Sequence, residues 1–283
     1  SSSLIERGVP FFFSIGIVKN NLRDARFVST MEEEIEIIEY KNVDLTNAIL
    51  IEAFPTVGLV SSIAGHFLVE QLKLEEIGTI NSRYFMPAAV IHNGVPSPPV
   101  RIYAGKKICG SASDCDQIAV IISEFMPPGD IIKPVADMIL SWAQKKKCNH
   151  IVTLEGTHSL NPKKPKTYGV ATTQKMKDIL TKYTIEETKE GMITGITGVL
   201  LFEGARLKQD VLCLLAEAHS SYPDSRAAAL LVETLDKMLP KIQINTQPLY
   251  KEAEDIEQKI RAFIKQAQPT APSSGNLPSQ MYG

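Results

Sequence analysis

The sequence predicts an α/β domain built on a mainly parallel sheet with flanking helices. Three observations point there. "NAILIEAF" (Asn47–Phe54) and "IAVIIS" (Ile118–Ser123) are almost continuously apolar, as strands covered on both faces must be. "HIVTL" (His150–Leu154) has the same character. Between the last two, Asp130 to Lys147 places Ile131, Val135, Met138, Ile139 and Trp142 at i, i+3, i+4 spacing. Strand, amphipathic helix, strand makes a βαβ unit with a parallel crossover.

The remaining elements follow in chain order. "EEEIEIIEY", from Glu32, alternates acid and isoleucine, the mark of a half-buried strand. The Asn47–Phe54 run breaks at Pro55, and a helix is predicted from about Val57 to Leu72. Its expected core positions are Leu59, Ile63, Phe67, Val69 and Leu72. Tyr84–Tyr103 is rich in proline and apolar residues, and its "HNG" (His92–Gly94) fits a type I′ turn. A hairpin is expected there, with an apolar side that needs a cover. "TYGVAT" (Thr167–Thr172) precedes a helix over Gln174–Lys182, and the Gly/Thr-rich "GMITGITGVLLFEGARL" receives no assignment. "VLCLLAEA" (Val211–Ala218) reads as a strand. Asp224–Met238 reads as a helix capped by Asp224 or Ser225.

Residues 31–248 thus form the α/β domain. Residues 249–267 form a charged C-terminal helix with Leu249, Ala253, Ile256, Ile260, Phe263 and Ala267 along one stripe. That spacing resembles a coiled coil, yet a run so short also suits a helix lying on its own domain. Residues 268–283 are Pro/Ser/Gly-rich without periodicity and read as a flexible tail. Residues 1–30 carry an apolar run, Val9–Val18, too short to span a bilayer and followed by no small-x-small cleavage site. Met31 then opens a clean strand pattern, so 1–30 is expected to be a non-native or unstructured leader.

Composition narrows function. A formal net charge of -2 gives no positive field for nucleic acid, and no segment suits a membrane. Four cysteines without a CxxC pair and five histidines without HxxxH or HExxH spacing exclude an obvious zinc site or disulfide scaffold. A reducing, cytoplasmic location and no cofactor are expected.

Two segments invite a chemical reading. "FPTVGLVSSIAGH" puts a glycine turn between strand and helix, where amides can bind phosphate. It lacks both GxGxxG and GxxxxGK[ST], so Gly58 reads better as a tight turn, with Ala64 and Gly65 allowing close helix packing. Glu124 and Glu155 end predicted strands, where α/β ligand sites collect, and His158 follows. Gly58, Glu124, Glu155 and His158 together make an alternative ligand site capable of acid/base work, though no nucleophile elbow accompanies them.

The ordered segments carry a resemblance. "FPTVGLVSSIAGHFLVEQL", "FMPAAVIHNG", "RIY", "VIISEF", "ILSWAQKKKCNHIVTLEG", "GITGVLLFEGA", "CLLAEA" and "YPDSRAAALLVETL" appear in sequence across roughly Met31 to Ile264. As a set this resembles the proteasome assembly chaperone 2 family, specifically its archaeal homologues. The turn "FPTVG" departs from the commoner Gly-Pro-Gly-like form, which weakens a ligand role for Gly58.

The resemblance implies a nucleoside-phosphorylase-like fold used for protein binding, not catalysis. It implies homo-oligomers, with Leu249, Ala253, Ile256, Ile260 and Phe263 as contacts between copies. It implies a partner as well: the α-subunits of the 20S proteasome, met as an assembly chaperone or an ATP-independent activator. Such proteins often end in hydrophobic–Tyr–any residue, and Met281-Tyr282-Gly283 matches that pattern. A terminal carboxylate can pair with a pocket lysine, a tyrosine supplies large area at low entropy cost, and methionine adapts to a shallow groove. One tail binds at micromolar to millimolar strength, about -4 to -8 kcal/mol. Several tails on an oligomer gain about 10² or more. The linker before Met281 reaches on the order of 20 Å as a coil and about 40 Å extended.

Overall fold

Strand β2 (Ile49–Ala53) sets the architecture, because every one of its five residues is buried. It lies between β9 (Ile118–Ser123) and β10 (His150–His158), parallel to both, and β13 (Val211–Ala218) runs parallel on the far side of β10. In this computed structural model, residues 35–109, 115–158, 165–239 and 241–267 are described. Antiparallel strands flank the parallel centre. β6 (Val100–Ala104), β3 (Glu75–Ser82) and β1 (Ile35–Glu39) extend one side, and β11 (Thr167–Ala171) extends the other. A two-residue β12 (Glu186–Glu187) pairs parallel to β11, giving the order β1-β3-β6-β9-β2-β10-β13-β11-β12.

Alternation along β2 divides the core in two. Ile49, Ile51 and Ala53 point into the layer of α1 (Val60–Gln71), α3 (Gln174–Lys182), α5 (Ser225–Met238) and α6 (Gln247–Ala267). Leu50 and Phe54 point into the layer of α2 (Gly129–Lys145) and α4 (Gly195–Leu207). Each fully buried Leu, Ile or Phe contributes roughly 1.5–3 kcal/mol of transfer energy, so both faces hold the sheet.

The βαβ expectation holds, with β2 inserted between its strands. Ile131, Val135, Ile139 and Trp142 of α2 are buried as the spacing predicts, and Met138 is partly so. Helix α1 corrects its predicted stripe. Its buried residues are Val60, Ser61, Ala64, Gly65 and Leu68, while Leu59 is exposed and Ile63, Phe67, Val69 and Leu72 are only partly covered. Close approach decides the face: a Cβ on Gly65 would lie 2.6 Å from the Ala53 Cβ. The helix therefore turns Ser61, Ala64 and Gly65 to the sheet, flanked by Val60 and Leu68.

The unassigned Gly/Thr segment is helix α4, and two further strands, β3 and β6, complete the sheet. The hairpin forms as β4 (Val90–His92) and β5 (Val95–Ser97), with Asn93 and Gly94 at φ 51° and 79° as a type I′ turn requires. Its Ile91 and Val95 are exposed, and β7 (Ile108–Cys109) and β8 (Cys115–Asp116) form a second small antiparallel pair. Asp224 is the α5 cap, accepting from the Ala227 N–H at 3.0 Å. Among the described residues, no helix is long and apolar enough to cross a membrane.

Candidate functional site

The C-terminal ends of the parallel strands are where α/β proteins gather ligands. Here they converge on two acids. Glu52 comes from β2, Glu155 from β10, and Thr197 from the first turn of α4. Glu52 is only 1% exposed. Its Oε1 accepts the Phe54 N–H at 3.0 Å, and its Oε2 accepts the Thr197 hydroxyl at 3.1 Å. Burial pushes the Glu52 carboxyl up to about 8, and the negative charge of Glu155 adds to that. Glu155 is itself raised to about 7 by burial, moderated by a hydrogen bond from Thr197. One hydroxyl thus sits beside two carboxyls whose protonation is shifted up toward neutral pH. Such a pair can hold and exchange a proton. Cys213 on β13 lies fully buried nearby, and burial holds its thiol well above the ordinary range, so it is not an activated nucleophile.

Glu124 belongs to a different cluster. It follows β9 and meets the Arg101 guanidinium from β6 and the His66 Nε2 from α1 at 3.2 Å. The hydrogen bond from His66 and the charge of Arg101 hold its carboxyl below the usual range, against desolvation. His66 places this cluster on the α1 side of the sheet, whereas Glu52, Glu155 and Thr197 lie on the α2/α4 side. His158 is exposed at the end of β10.

Gly58 is a turn residue whose surroundings are filled by the chain itself. It adopts φ 63°, and its carbonyl accepts the Asp224 N–H at 2.8 Å. A Cβ there would lie 2.6 Å from the His219 carbonyl oxygen. Beneath the turn, the Gly156 N–H donates to Thr56 Oγ1 at 3.2 Å, and a Gly156 Cβ would come within 2.1 Å of the Val57 oxygen. Thr56 Oγ1 also lies 3.1 Å from Ser61 Oγ, which bonds the Phe54 carbonyl. The amides that could cradle a phosphate are taken by the turn itself: Leu59 N–H donates to the Thr56 carbonyl, Val60 N–H to the Val57 carbonyl and Ser61 N–H to Thr56 Oγ1.

Of the four residues of the alternative ligand site, Glu124 and Glu155 lie on opposite faces of the sheet and Gly58 serves a turn packed against the β13–α5 loop. The sequence reading missed Glu52, Thr197 and Arg101. For Glu52 a signal existed: it is the one acid inside an otherwise apolar strand, a position that demands partners or a proton. Among the described residues, no group of three or more His, Cys, Asp or Glu side chains could hold a metal ion.

The C-terminal stripe is divided. Leu249 and Ala253 are 3% and 4% exposed, and Leu249 joins the core beneath α5. Ile256 is half-buried, while the side chains of Ile260 and Phe263 lie outside those described. Met281, Tyr282 and Gly283 also lie outside the described residues.

Fold and site together define an α/β sheet protein with a coupled acid pair, one member buried and one half-buried, near the C-terminal ends of its parallel strands. The chain belongs to the PAC2 family, whose model matches residues 50–264. It is 34% identical to an uncharacterized protein of Methanocaldococcus jannaschii over 236 residues, covering 83% of this chain and 93% of that one. Among solved structures it is similar to Pyrococcus furiosus PbaA, described as an archaeal homolog of proteasome-assembly chaperone. That match has 31% identity and a TM-score of 0.71, covering 82% of this chain and 92% of the other. Pyrococcus furiosus PbaB, described as an archaeal proteasome activator, shares the fold with a TM-score of 0.70 at 23% identity, over 82% of this chain and 99% of that chain.

Proposed function

We propose that this chain is a non-catalytic, cytoplasmic, homo-oligomeric proteasome-binding protein, acting as an assembly chaperone or an ATP-independent activator of the 20S particle. The observation that carries this reading is the likeness to PbaA, at 31% identity across most of both chains. Closure of the strand ends supports it. In many α/β enzymes the turn after the first parallel strand is open to ligand, and here the β13–α5 loop occupies it.

In this reading Met281, Tyr282 and Gly283 dock between α-subunits, and residues 268–280 serve as their tether. The half-buried Ile256, with Ile260 and Phe263, supplies the helical contact between copies, while Leu249 and Ala253 anchor the helix to its own domain. An enzyme or small-molecule binder built on Gly58, Glu124, Glu155 and His158 is the weaker reading, because these residues serve separate structural clusters. Tail docking is tested by removing Met281–Gly283, or by Tyr282→Ala, and measuring association with isolated 20S particles. The expected result is a loss of at least about tenfold, since avidity multiplies the defect of each tail. Undiminished binding would sink tail docking.

A further inference from the structure

At the other end of the sheet from the acid pair, the small hairpin β7–β8 brings two cysteines into register. Cys109 lies directly opposite Cys115, and Ile108 opposite Asp116. Residues opposed in this way stand on one face of the ladder, with Cα atoms about 4.5 or 5.5 Å apart according to which alternating position they occupy. A disulfide needs Cα atoms roughly 4.4–6.8 Å apart, so either position meets the requirement. The five residues between the two cysteines give no CxxC spacing, so the sequence alone does not mark the pair.

The other two cysteines provide the contrast. Cys213 is fully buried and its thiol is held well above the ordinary range. Cys148 is half-buried, and burial pushes its thiol up to about 11. Neither forms a thiolate readily near neutral pH. The β7–β8 hairpin instead leaves the surface-exposed Lys106 and Lys107, and its own Ile108 is 44% exposed, so a small oxidant has access to it. The hairpin also holds the chain that follows α5. Asp116, adjacent to Cys115, accepts the Lys241 N–H at 2.9 Å, and its second oxygen lies 3.7 Å from Lys241 Nζ. Just beyond, Ile242 and Ile244 are buried, and α6 begins at Gln247.

We propose that Cys109 and Cys115 are a site of reversible oxidation, closed to a disulfide across the hairpin by oxidised low-molecular-weight thiols, and that closure tightens the hold of Asp116 on the α5–α6 connection. One thiolate attacks a sulfur of the small disulfide, releasing one small thiol and leaving a mixed disulfide on the protein. The second thiolate attacks the protein sulfur of that bond, forming the Sγ–Sγ link and releasing the second small thiol. The two cysteines together give up two protons and two electrons, and the small disulfide takes up both. In a reducing compartment the pair rests as thiols, and it closes when the pool of small disulfides rises. The site does not rest on the proteasome reading, because it uses neither the tail nor the helical contacts between copies.

The test treats the full chain with oxidised glutathione, blocks the remaining thiols by alkylation and maps the peptides. A Cys109–Cys115 link is expected, with the four thiols of the chain falling to two. The mixed disulfide with glutathione should be at least about tenfold less abundant than the link, because the second thiol stands at a high effective concentration. Cys109→Ser and Cys115→Ser should each stop at the mixed disulfide. Amide exchange at Lys241 should slow at least about threefold when the parent is oxidised, and should not change in either serine variant. The proposal is overturned by four persisting thiols, by a link to Cys148 or Cys213 or between two chains, by a predominant mixed disulfide in the parent, or by Lys241 exchange that ignores oxidation.

Discussion

Glu52 and His150 are both buried ionisable groups on neighbouring strands of one sheet, and they are treated in opposite ways. Glu52, near the strand C-termini, faces α2 and α4 and receives two hydrogen bonds. His150, at the strand N-termini, faces the α3 and α5 ends and receives none among the described residues. At the first end Glu52 has its partners, and the β13–α5 loop fills the neighbouring Thr56–Gly58 turn. The second leaves a buried imidazole without hydrogen-bond partners. Burial alone therefore does not fix how an ionisable group behaves: it raises the carboxyl and lowers the imidazole, and hydrogen-bond partners temper only the first shift.

Breaking the closed end gives the largest expected effect. In Gly156→Ala, the new Cβ meets the Val57 backbone oxygen at 2.1 Å, so strand β10 and the Thr56–Gly58 turn must separate. A loss of about 3 kcal/mol or more is expected, seen by calorimetry as a fall in Tm of roughly 6–12 °C. A drop below about 2 °C would mean that the turn moves freely, and that the end is not closed.

Glu52→Gln sharpens the comparison through pH. Folding raises this carboxyl from about 4.5 to about 8, so the folded state keeps a proton that the unfolded chain releases. The stability from protonated Glu52 is complete below pH 4.5 and is lost as pH rises to about 8. The glutamine keeps an acceptor and carries no charge, so the variant should gain about 1–3 kcal/mol at pH 8 and little at pH 4.5. A gain independent of pH would remove the acid pair from the explanation.

His150→Phe carries the smallest effect and the opposite slope. Folding lowers this imidazole from about 6.5 to about 4. Its contribution is intact above pH 6.5 and is lost as pH falls toward 4, while Lys175 and Asp210 stay nearby. At pH 7 the variant should differ from the parent by less than about 1 kcal/mol, because two unpaired nitrogens leave with the ring. Melting curves from pH 7 to pH 4 should then lose the acid-side decline seen in the parent.

How much of this was legible depended on whether local pattern or long-range pairing decided the outcome. β2, β9, β10 and β13 were readable because a strand covered on both faces must be apolar throughout. β3 was not, since "EEIGTINS" mixes polar Thr79 and Ser82 with Ile77 and Ile80 and carries a bulge between Glu76 and Gly78. β6 was hidden in a proline-rich window beside the hairpin. Helix α4 is buried on much of its surface, so its glycines serve packing and leave little amphipathic signature. The site was legible only in outline. Glu124 stands at a strand end as read, whereas Glu155 lies inside β10, which runs on to His158, and alternation assigned the two to opposite faces, each with partners distant in sequence. Thr197 is 145 residues from the carboxylate it bonds, and no local signal joins them.

The position of β2 carries a further consequence, for how the chain is made. Near the start of the described chain, it sits at the centre of the sheet, where Ile49 pairs with Ile118 on one side and His150 on the other. Synthesis at about 5–20 residues per second leaves this apolar strand without either neighbour for several seconds. Its contacts are then among the most distant in sequence, the class that forms slowly. During that interval an uncovered, strongly associating strand is exposed to every other chain in the cell. A protein we propose to assist the building of another complex thus passes through a stage of its own manufacture when it most needs shelter.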